Sequence, residues 1–472
     1  MPHIRIFRHY LHTPYLVMAA IEAVVLFGCA YLGFVTRNHE LPPFYDYFWA
    51  ATVFALAQVV TMVAMGVYES RVREGYTGMM LRTAVAMFLL GSMFVAILSY
   101  FVPNLAMGRG VLMFSIIEGF IIISVLRWGS SHLISEDTLK KNVLVLGAGQ
   151  RALKIATRMR RRSDRRAFRL HGFARISNSE DAVSTKGGEL IELDSSLPDY
   201  CERHGINEIV VAVDERRRNT DAGGGLPLDE LLDCRLSGIE VVDIQAFIER
   251  EAGKLDVDLL HPSWMVFSDG FVAHSWRYAT KRAFDLAISV LALLIIWPVM
   301  LLTAIAIFVD SGFRGPILYR QSRVGLDGKT FDVMKFRSMR TDAEQDGQAV
   351  WASKDDPRIT RVGAVIRKTR IDELPQLANV LLGDMSFVGP RPERPEFVEE
   401  LDEAITYYNH RHRVKPGITG WAQLCYPYGA SVEDSKEKLQ YDLYYLKNHS
   451  ILLDMIILLQ TVEVVLIGDG AR

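Results

Sequence analysis

The hydrophobic positions of this chain are bunched rather than periodic. Four runs, Leu16 to Val35, Phe48 to Val67, Ala84 to Val102 and Val111 to Leu126, are nearly unbroken in apolar residues. Each approaches the ~20 residues that a helix needs to cross hydrocarbon, which predicts a four-helix transmembrane bundle over residues 1–130. Cations alternate in side: Arg5 and Arg8 precede the first run, Arg71, Arg73 and Arg82 separate the second from the third, and Arg127 and Lys140 follow the fourth. The other two connections carry only Arg37 and Arg109. The bias toward cytoplasmic cations places both the N-terminus and everything after Leu126 in the cytoplasm. The first run outlasts a signal peptide and lacks a small-residue cleavage site, so it is expected to stay in the protein. Glu22 and Glu118 lie inside the runs, where ionisable groups are costly. Packing or a mutual hydrogen bond is expected of them.

From "KNVLVLGAGQRALKIATRM" to about Arg250 short buried strands alternate with helical stretches, the texture of a parallel α/β sheet. A Rossmann-like accessory domain is expected over 140–250. Gly147, Gly149 and Ala152 fit G-x-G-x-x-A, making a possible ligand loop in which a helix N-terminus faces a phosphate. The acidic residue expected about twenty positions on is not evident in "RRRSDRRAFRLHGFARIS". A structural or regulatory module therefore stands beside a dinucleotide site as a reading.

After a linker over 251–280, a fifth apolar run covers Leu286 to Val309. A crossing here would export Arg314, Arg320, Arg323, Lys329, Lys335, Arg337 and Arg340, against the charge bias. The expectation is a re-entrant membrane helix over 281–310, broken at Pro298, which removes a backbone donor. A proline-kinked fifth span is the alternative. The last run, "ILLDMIILLQTVEVVLIG", carries Asp454, Gln460 and Glu463 and is expected on the membrane surface or against the preceding domain.

Composition refines this only slightly. At 472 residues the chain calls for three or four structural units, and its net charge of −2 is less informative than its local clusters. Cys29, Cys201, Cys234 and Cys425 are isolated, without zinc-ligand spacing, and read as reduced thiols.

The chemistry is concentrated in 311–472, a mixed α/β domain in which arginines recur beside Gly and Pro. Arg forks bind phosphate in pairs of hydrogen bonds, so a substrate with several phosphates is expected; a basic face toward anionic lipid is the alternative. Within "RKTRIDELPQL", Pro375 belongs in the first turn of a helix, which therefore begins near Ile371 or Asp372. Asp372 should stay ionised there, beside Arg367, Lys368 and Arg370. Helical neighbours point about 100° apart, so Asp372 and Glu373 suit two different roles. On these grounds alone, a simple helix cap is the commoner outcome.

Five stretches, "KRAFDLAIS", "YRQSRVGLDGKTFDVMKFRSM", "RIDELPQLANVLLGDMSFVGPRP", "KPGITGWAQ" and "YDLYYLKN", occur in this order from Lys281 to Asp454. Together they resemble the bacterial polyprenyl-phosphate sugar-1-phosphate transferases, or monotopic phosphoglycosyl transferases. The whole chain resembles the large members, and "GPRPERPEFV" with "GKLDVDLLHPSWM" their exosortase-associated branch. The resemblance implies transfer of a sugar 1-phosphate, glucose or galactose by family analogy, from a UDP-sugar to undecaprenyl phosphate. UMP is released, and Mg²⁺ takes part. Asp372 is then the nucleophile that forms an aspartyl phosphosugar, and Glu373 activates the lipid phosphate or positions metal. Asp442 joins Asp372 and Glu373 as an implied metal ligand. Arg367, Arg391, Arg413, Lys415, Lys335 and Arg337 are the implied phosphate contacts, and Lys281 and Arg282 the headgroup anchors of the re-entrant helix. The family's Ser-Pro at the helix break is Trp297-Pro298 here. Implied partners are the UDP-sugar, undecaprenyl phosphate, membrane lipids and a second copy in a homodimer, with no nucleic acid; the implied location is the bacterial inner membrane, catalytic domain on the cytoplasmic side. Two rivals remain: a membrane-bound NAD-dependent nucleotide-sugar dehydratase or epimerase, which lacks its Tyr-x-x-x-Lys pair here, and a noncatalytic regulator.

Overall fold

The computed structural model describes residues 3–6, 9–68, 76–133, 140–158, 168–176, 182–183, 189–214, 226–268, 270–271, 275–340, 358–426, 429 and 431–467. Arg71, Arg73 and most of the arginine-rich stretch after Arg158 lie outside these residues, as does the Glu463 side chain. The chain forms two compact units, one chiefly Tyr10–Leu259 and the other chiefly Leu260–Arg472.

In the first unit the apolar runs are helices over Thr13–Asn38, Phe44–Ala64, Tyr76–Phe101 and Arg109–Leu133. The protein is thus a membrane protein with α/β domains. The first and fourth helices approach closely because Gly33 has no side chain; a Cβ there would lie 2.3 Å from Ser115 Oγ. Leu26, Phe54, Met62, Met87 and Ile123 fill the space between the helices. Arg127, expected as a flanking cytoplasmic cation, is instead buried. Its guanidinium grips both carboxylate oxygens of Glu22 at 2.6 Å and donates to Thr83 Oγ1. Tyr68 also donates to Glu22. Glu118 accepts from Thr36 at 2.7 Å, so the two intramembrane acids do not bond each other.

The rest of that unit is built around a five-stranded, all-parallel sheet. Lys141–Leu146 is central, with Phe168–Ala174 and then Leu190–Ile191 on one side and Glu208–Val211 and then Glu240–Asp243 on the other. Val143, Leu144, Val145 and Leu146 are all buried, because both faces are covered. Val143 and Val145 pack with Ala152, Ile155 and Phe247, whereas Leu144 and Leu146 pack with Leu197, Cys201 and Cys234.

The second unit is threaded on the helix Ser275–Asp310. That helix runs through Pro298 without interruption, so the expected division into two helices is absent. Lys281 and Arg282, expected at lipid headgroups, are engaged inside the protein. Lys281 Nζ lies 2.7 Å from Asp454, and Arg282 donates to the carbonyls of Val380 and Leu381. Asp285, also buried, accepts from Ser386 Oγ at 2.9 Å and from the Phe387 amide at 3.0 Å. Against this frame lie an antiparallel hairpin of Leu318–Val324 with Thr330–Phe336, and the short parallel pair Ser386–Val388 with Gly417–Thr419. The C-terminal helix Ile451–Ile467 packs inward through Leu453, Asp454 and Ile457.

Candidate active site

Arg361–Lys368 is a helix that stops at Thr369, and Arg370 then reverses the chain in the left-handed region (φ 58°). A 3-10 turn, Ile371–Glu373, follows, and only after Pro375 does the helix Gln376–Leu382 begin. The helix therefore starts later than Pro375 implied from the sequence. Proline has no N–H to offer Ile371, and the carbonyl of Ile371 accepts instead from Leu374, three residues on. Ile371 and Leu374 pack on the cluster of Ile307, Phe336 and Ile366, which fixes the turn that carries Asp372 and Glu373.

The two acids meet different surroundings. Glu373 Oε1 accepts from Arg391 Nη2 at 2.9 Å, with Lys335 Nζ and Arg370 Nη1 each at 3.7 Å. Burial pushes its carboxyl upward, and Arg391, followed by Lys335 and Arg370, overcomes that and holds it at about 2. Asp372 goes the other way. Burial raises its carboxyl, the Glu373 charge raises it further, and Lys335, Arg367 and Arg370 oppose only in part. The anion most firmly stabilised by the cations is thus Glu373, not Asp372 as the helix-start argument had it. Asp372 Oδ1 is buried with no hydrogen-bond partner. A cap would satisfy backbone N–H groups; this oxygen is instead left for something else.

A narrow crevice beside the pair is lined by Arg323, Val333, Lys335, Gln376, Arg391, Pro392 and Gly417. Burial lowers the Lys335 ammonium from its usual range, with Glu373 opposing and Arg391 and Arg323 reinforcing the fall. Three cations converging on one crevice favour an anionic ligand.

Of the residues singled out from sequence, Lys335 and Arg391 are at the pair, and Arg367 acts on Asp372 through its charge. Arg337 is buried. Lys415 donates to the carbonyl of Gly383 at 2.6 Å, capping the end of the helix Gln376–Leu382. Arg413 is exposed and lies 3.4 Å from Asp327. Asp442 is buried against Arg411, 2.8 Å away. Pro298 sits within the long helix. At the glycine loop Gly147 has φ 120°, and the amides of Gln150 and Arg151 donate to the Asp214 carboxylate at 2.7 and 2.8 Å. A Cβ on Gly149 would lie 2.1 Å from Asp214 Oδ2, so the loop is shaped around this carboxylate.

Sequence reasoning missed Arg323, Gln376 and Arg411 as site residues. Gln376 had a signal, lying four positions after Asp372 and so about one helical turn on. Arg411 had none, since its partner Asp442 is 31 residues away.

A profile described as bacterial sugar transferase matches residues 276–468. An N-acetylgalactosaminephosphotransferase of Aeromonas hydrophila, acting on UDP-N-acetylgalactosamine and undecaprenyl phosphate by its name, is 44% identical over 243 residues, 51% of this chain and 56% of that protein. An undecaprenyl-phosphate glucose phosphotransferase of Komagataeibacter xylinus is 36% identical over 332 residues, 69% of this chain and 59% of that protein. The chain therefore spans little more than half the length of these two relatives. An exopolysaccharide production protein, PSS, of Rhizobium leguminosarum is 44% identical over 187 residues, 39% of this chain and 92% of that protein. With that relative covered almost throughout, the chain belongs to the bacterial sugar transferases, the polyprenyl-phosphate sugar-1-phosphate transferase family.

Proposed function

We propose that this protein transfers a sugar 1-phosphate from a UDP-sugar to undecaprenyl phosphate, releasing UMP, as the first membrane step of exopolysaccharide synthesis. One observation carries the reading: a buried, unpartnered carboxylate oxygen on Asp372 stands beside a Glu373 bound by three cations, at a cation-lined crevice. A carboxylate oxygen of Asp372 attacks the sugar-linked phosphorus, the bond from phosphorus to the bridging oxygen breaks, and UMP departs with the electron pair. An oxygen of undecaprenyl phosphate then attacks the same phosphorus and expels the Asp372 carboxylate. Two transfers between anions are each easier than one direct displacement, and Lys335, Arg391 and Arg323 offset the phosphate charge. Glu373 holds Lys335 and Arg391 in place, and we assign to it the orientation of the incoming phosphate.

The donor set also suits Mg²⁺. Asp372 Oδ1 is free, and among the described residues no three Asp, Glu, His or Cys side chains converge. Mg²⁺ takes one or two carboxylates and completes its shell with substrate phosphates and water. Asp372 would hold it, and when bound it supplies charge neutralisation at the diphosphate. Glu373 is committed to cations and Asp442 to Arg411, so we assign neither to the metal.

We further read residues 1–130 as four spans, 140–250 as a Rossmann-like module, 251–280 as a linker, 281–310 as a re-entrant helix and 311–472 as the catalytic domain, on the cytoplasmic face of the inner membrane. Contacts at the two ends of the long helix support the re-entrant reading. A straight helix would set Arg282 and Ile307 about 38 Å apart. Yet Arg282 bonds the carbonyls of Val380 and Leu381, and Ile307 belongs to a cluster on which Leu374 packs. Leu374 and Val380 are six residues apart along the chain, roughly 10 Å at a helical rise. A bend in the long helix would bring its ends together, and Leu291, Leu294, Ile295 and Leu302 between them are exposed, as a membrane-dipping segment requires. Asp214 at the glycine loop favours a module closed on itself over an NAD enzyme.

The test is incubation of the protein in lipid nanodiscs with undecaprenyl phosphate, Mg²⁺ and radiolabelled UDP-glucose, UDP-galactose or UDP-N-acetylgalactosamine. UMP release is expected with one of them, and Asp372→Asn should lose at least about 1,000-fold, as removal of a covalent nucleophile does. Unchanged release in that variant overturns the mechanism, and failure with every donor favours a noncatalytic role.

A further inference from the structure

The stretch Gly389–Glu393 carries Arg391 between two prolines, Pro390 and Pro392. Neither proline has an N–H, so the segment cannot be held by a ladder of its own donors. The Gly389 amide donates to Thr419 O at 2.9 Å, and the next four carbonyls are taken from three parts of the fold. Pro390 O accepts from the Gly417 amide at 2.9 Å, Arg391 O from Arg411 Nη2 at 3.0 Å, Pro392 O from Arg323 Nη1 at 3.2 Å, and Glu393 O from the Val324 amide at 2.9 Å.

Arg411 is the most constrained of these donors. It is buried, with Nε 3.0 Å and Nη2 2.8 Å from Asp442 Oδ2, and Nη1 2.9 Å from the Tyr408 hydroxyl. The ring of Tyr408 also lies beneath its guanidinium, 5.2 Å from ring centre to Cζ. Asp442 is buried too, on the helix Val432–Asn448. An unbroken line of contacts therefore runs from Asp442 through Arg411 to the backbone of Arg391, and through the Arg391 side chain to Glu373 at 2.9 Å.

We propose that Arg411, fixed by Asp442, is a positioning residue that sets Arg391 and thereby Glu373 for the transfer. The proposal rests on the function assigned above. Arg411 does not line the crevice, so it acts through Arg391 and not on the substrate. A fork with five donors is well matched to this place, because it satisfies a carboxylate, a hydroxyl and a carbonyl at once, which a lysine ammonium does not.

The experiment uses the full-length protein and the double variant Arg411→Met/Asp442→Leu, which removes both buried charges together and so leaves neither uncompensated. Thermal melting should stay close to the parent, kcat for UMP release should fall about 100-fold, and KM for the UDP-sugar should change less than about three-fold, as expected for a small misplacement of reacting groups. The same pair is then placed in Arg391→Ala. If Arg411 works through Arg391, little further loss appears in that background; a general structural defect multiplies instead. Unchanged kcat, or a full 100-fold further loss in Arg391→Ala, overturns the proposal. Should the double variant fail to fold, Arg411→Lys keeps the charge opposite Asp442 and is read by the same two criteria. UMP release by the parent protein separates failure of this inference from failure of the assigned function.

Discussion

Asp372 and Glu373 are adjacent in sequence, and the cations around them separate their behaviour. Arg391, Lys335 and Arg370 all approach one oxygen of Glu373, which holds that carboxyl at about 2 against an ordinary 4.5. Between these values the folded protein binds fewer protons than the unfolded chain, so the contribution is complete above about pH 4.5 and is lost as pH falls through about 2. Arg391→Ala should therefore lower stability by about 2 kcal/mol near neutrality, the scale of a hydrogen bond to a charged group. Thermal melting in detergent at about pH 7 and again at about pH 3 checks this, because the deficit should shrink at the lower value. A deficit of equal size at both would show that Arg391 acts on something other than the Glu373 charge. The acids themselves were legible in sequence, as a motif next to a proline. Their unequal environments were not, since Arg391 and Lys335 arrive from elsewhere in the chain.

Elements were legible where periodicity is local and less so where a single distant contact decides. The parallel strands were readable because burial on both faces writes itself as continuous hydrophobicity, and the four apolar runs because each has the length and apolar content of a helix that can cross hydrocarbon. Arg127 was misread. The charge bias counts cations at helix ends and has no means of telling a flanking arginine from one turned inward to Glu22, 105 residues away. Its burial makes a firm prediction. Arg127→Met strands Glu22 in the bundle and should cost about 3–5 kcal/mol, while Glu22→Leu/Arg127→Met should recover most of it. Melting temperatures of the solubilised variants decide; a single variant as stable as the parent would contradict the buried pair. The glycine loop teaches a related lesson. G-x-G-x-x-A is the pattern of a phosphate cradle, yet Asp214 takes the amides of Gln150 and Arg151 that a pyrophosphate would use. NADH should accordingly show no binding tighter than about 1 mM. Saturable enhancement of NADH fluorescence below that concentration would reopen the dehydratase reading.

At the scale of the whole molecule, the decisive question is on which side of the membrane the Asp372 domain lies relative to the N-terminal helices. Hydropathy alone cannot answer it, since Trp276–Asp310 is long and apolar enough to cross. The cations from Arg314 to Arg340 oppose a crossing, and the contacts of Arg282 and Ile307 near the two ends of the helix are with one folded unit. Both observations support our proposal that the ends share the cytoplasmic face, where a soluble UDP-sugar is found. Tyr278 in the first turn of the helix Ser275–Asp310, Phe313 just past its end and Leu294 near its middle are all exposed, so single cysteines at these positions report their surroundings without disturbing the core. In a background with Cys29, Cys201, Cys234 and Cys425 replaced, a membrane-impermeant maleimide should label Tyr278→Cys and Phe313→Cys in inverted vesicles and neither in intact spheroplasts. Leu294→Cys should react only after detergent is added, because hydrocarbon shields it. Labelling of Phe313→Cys from outside the cell would mean that the helix crosses, which would strand Asp372 on the side away from its nucleotide donor and defeat the proposed reaction along with the topology.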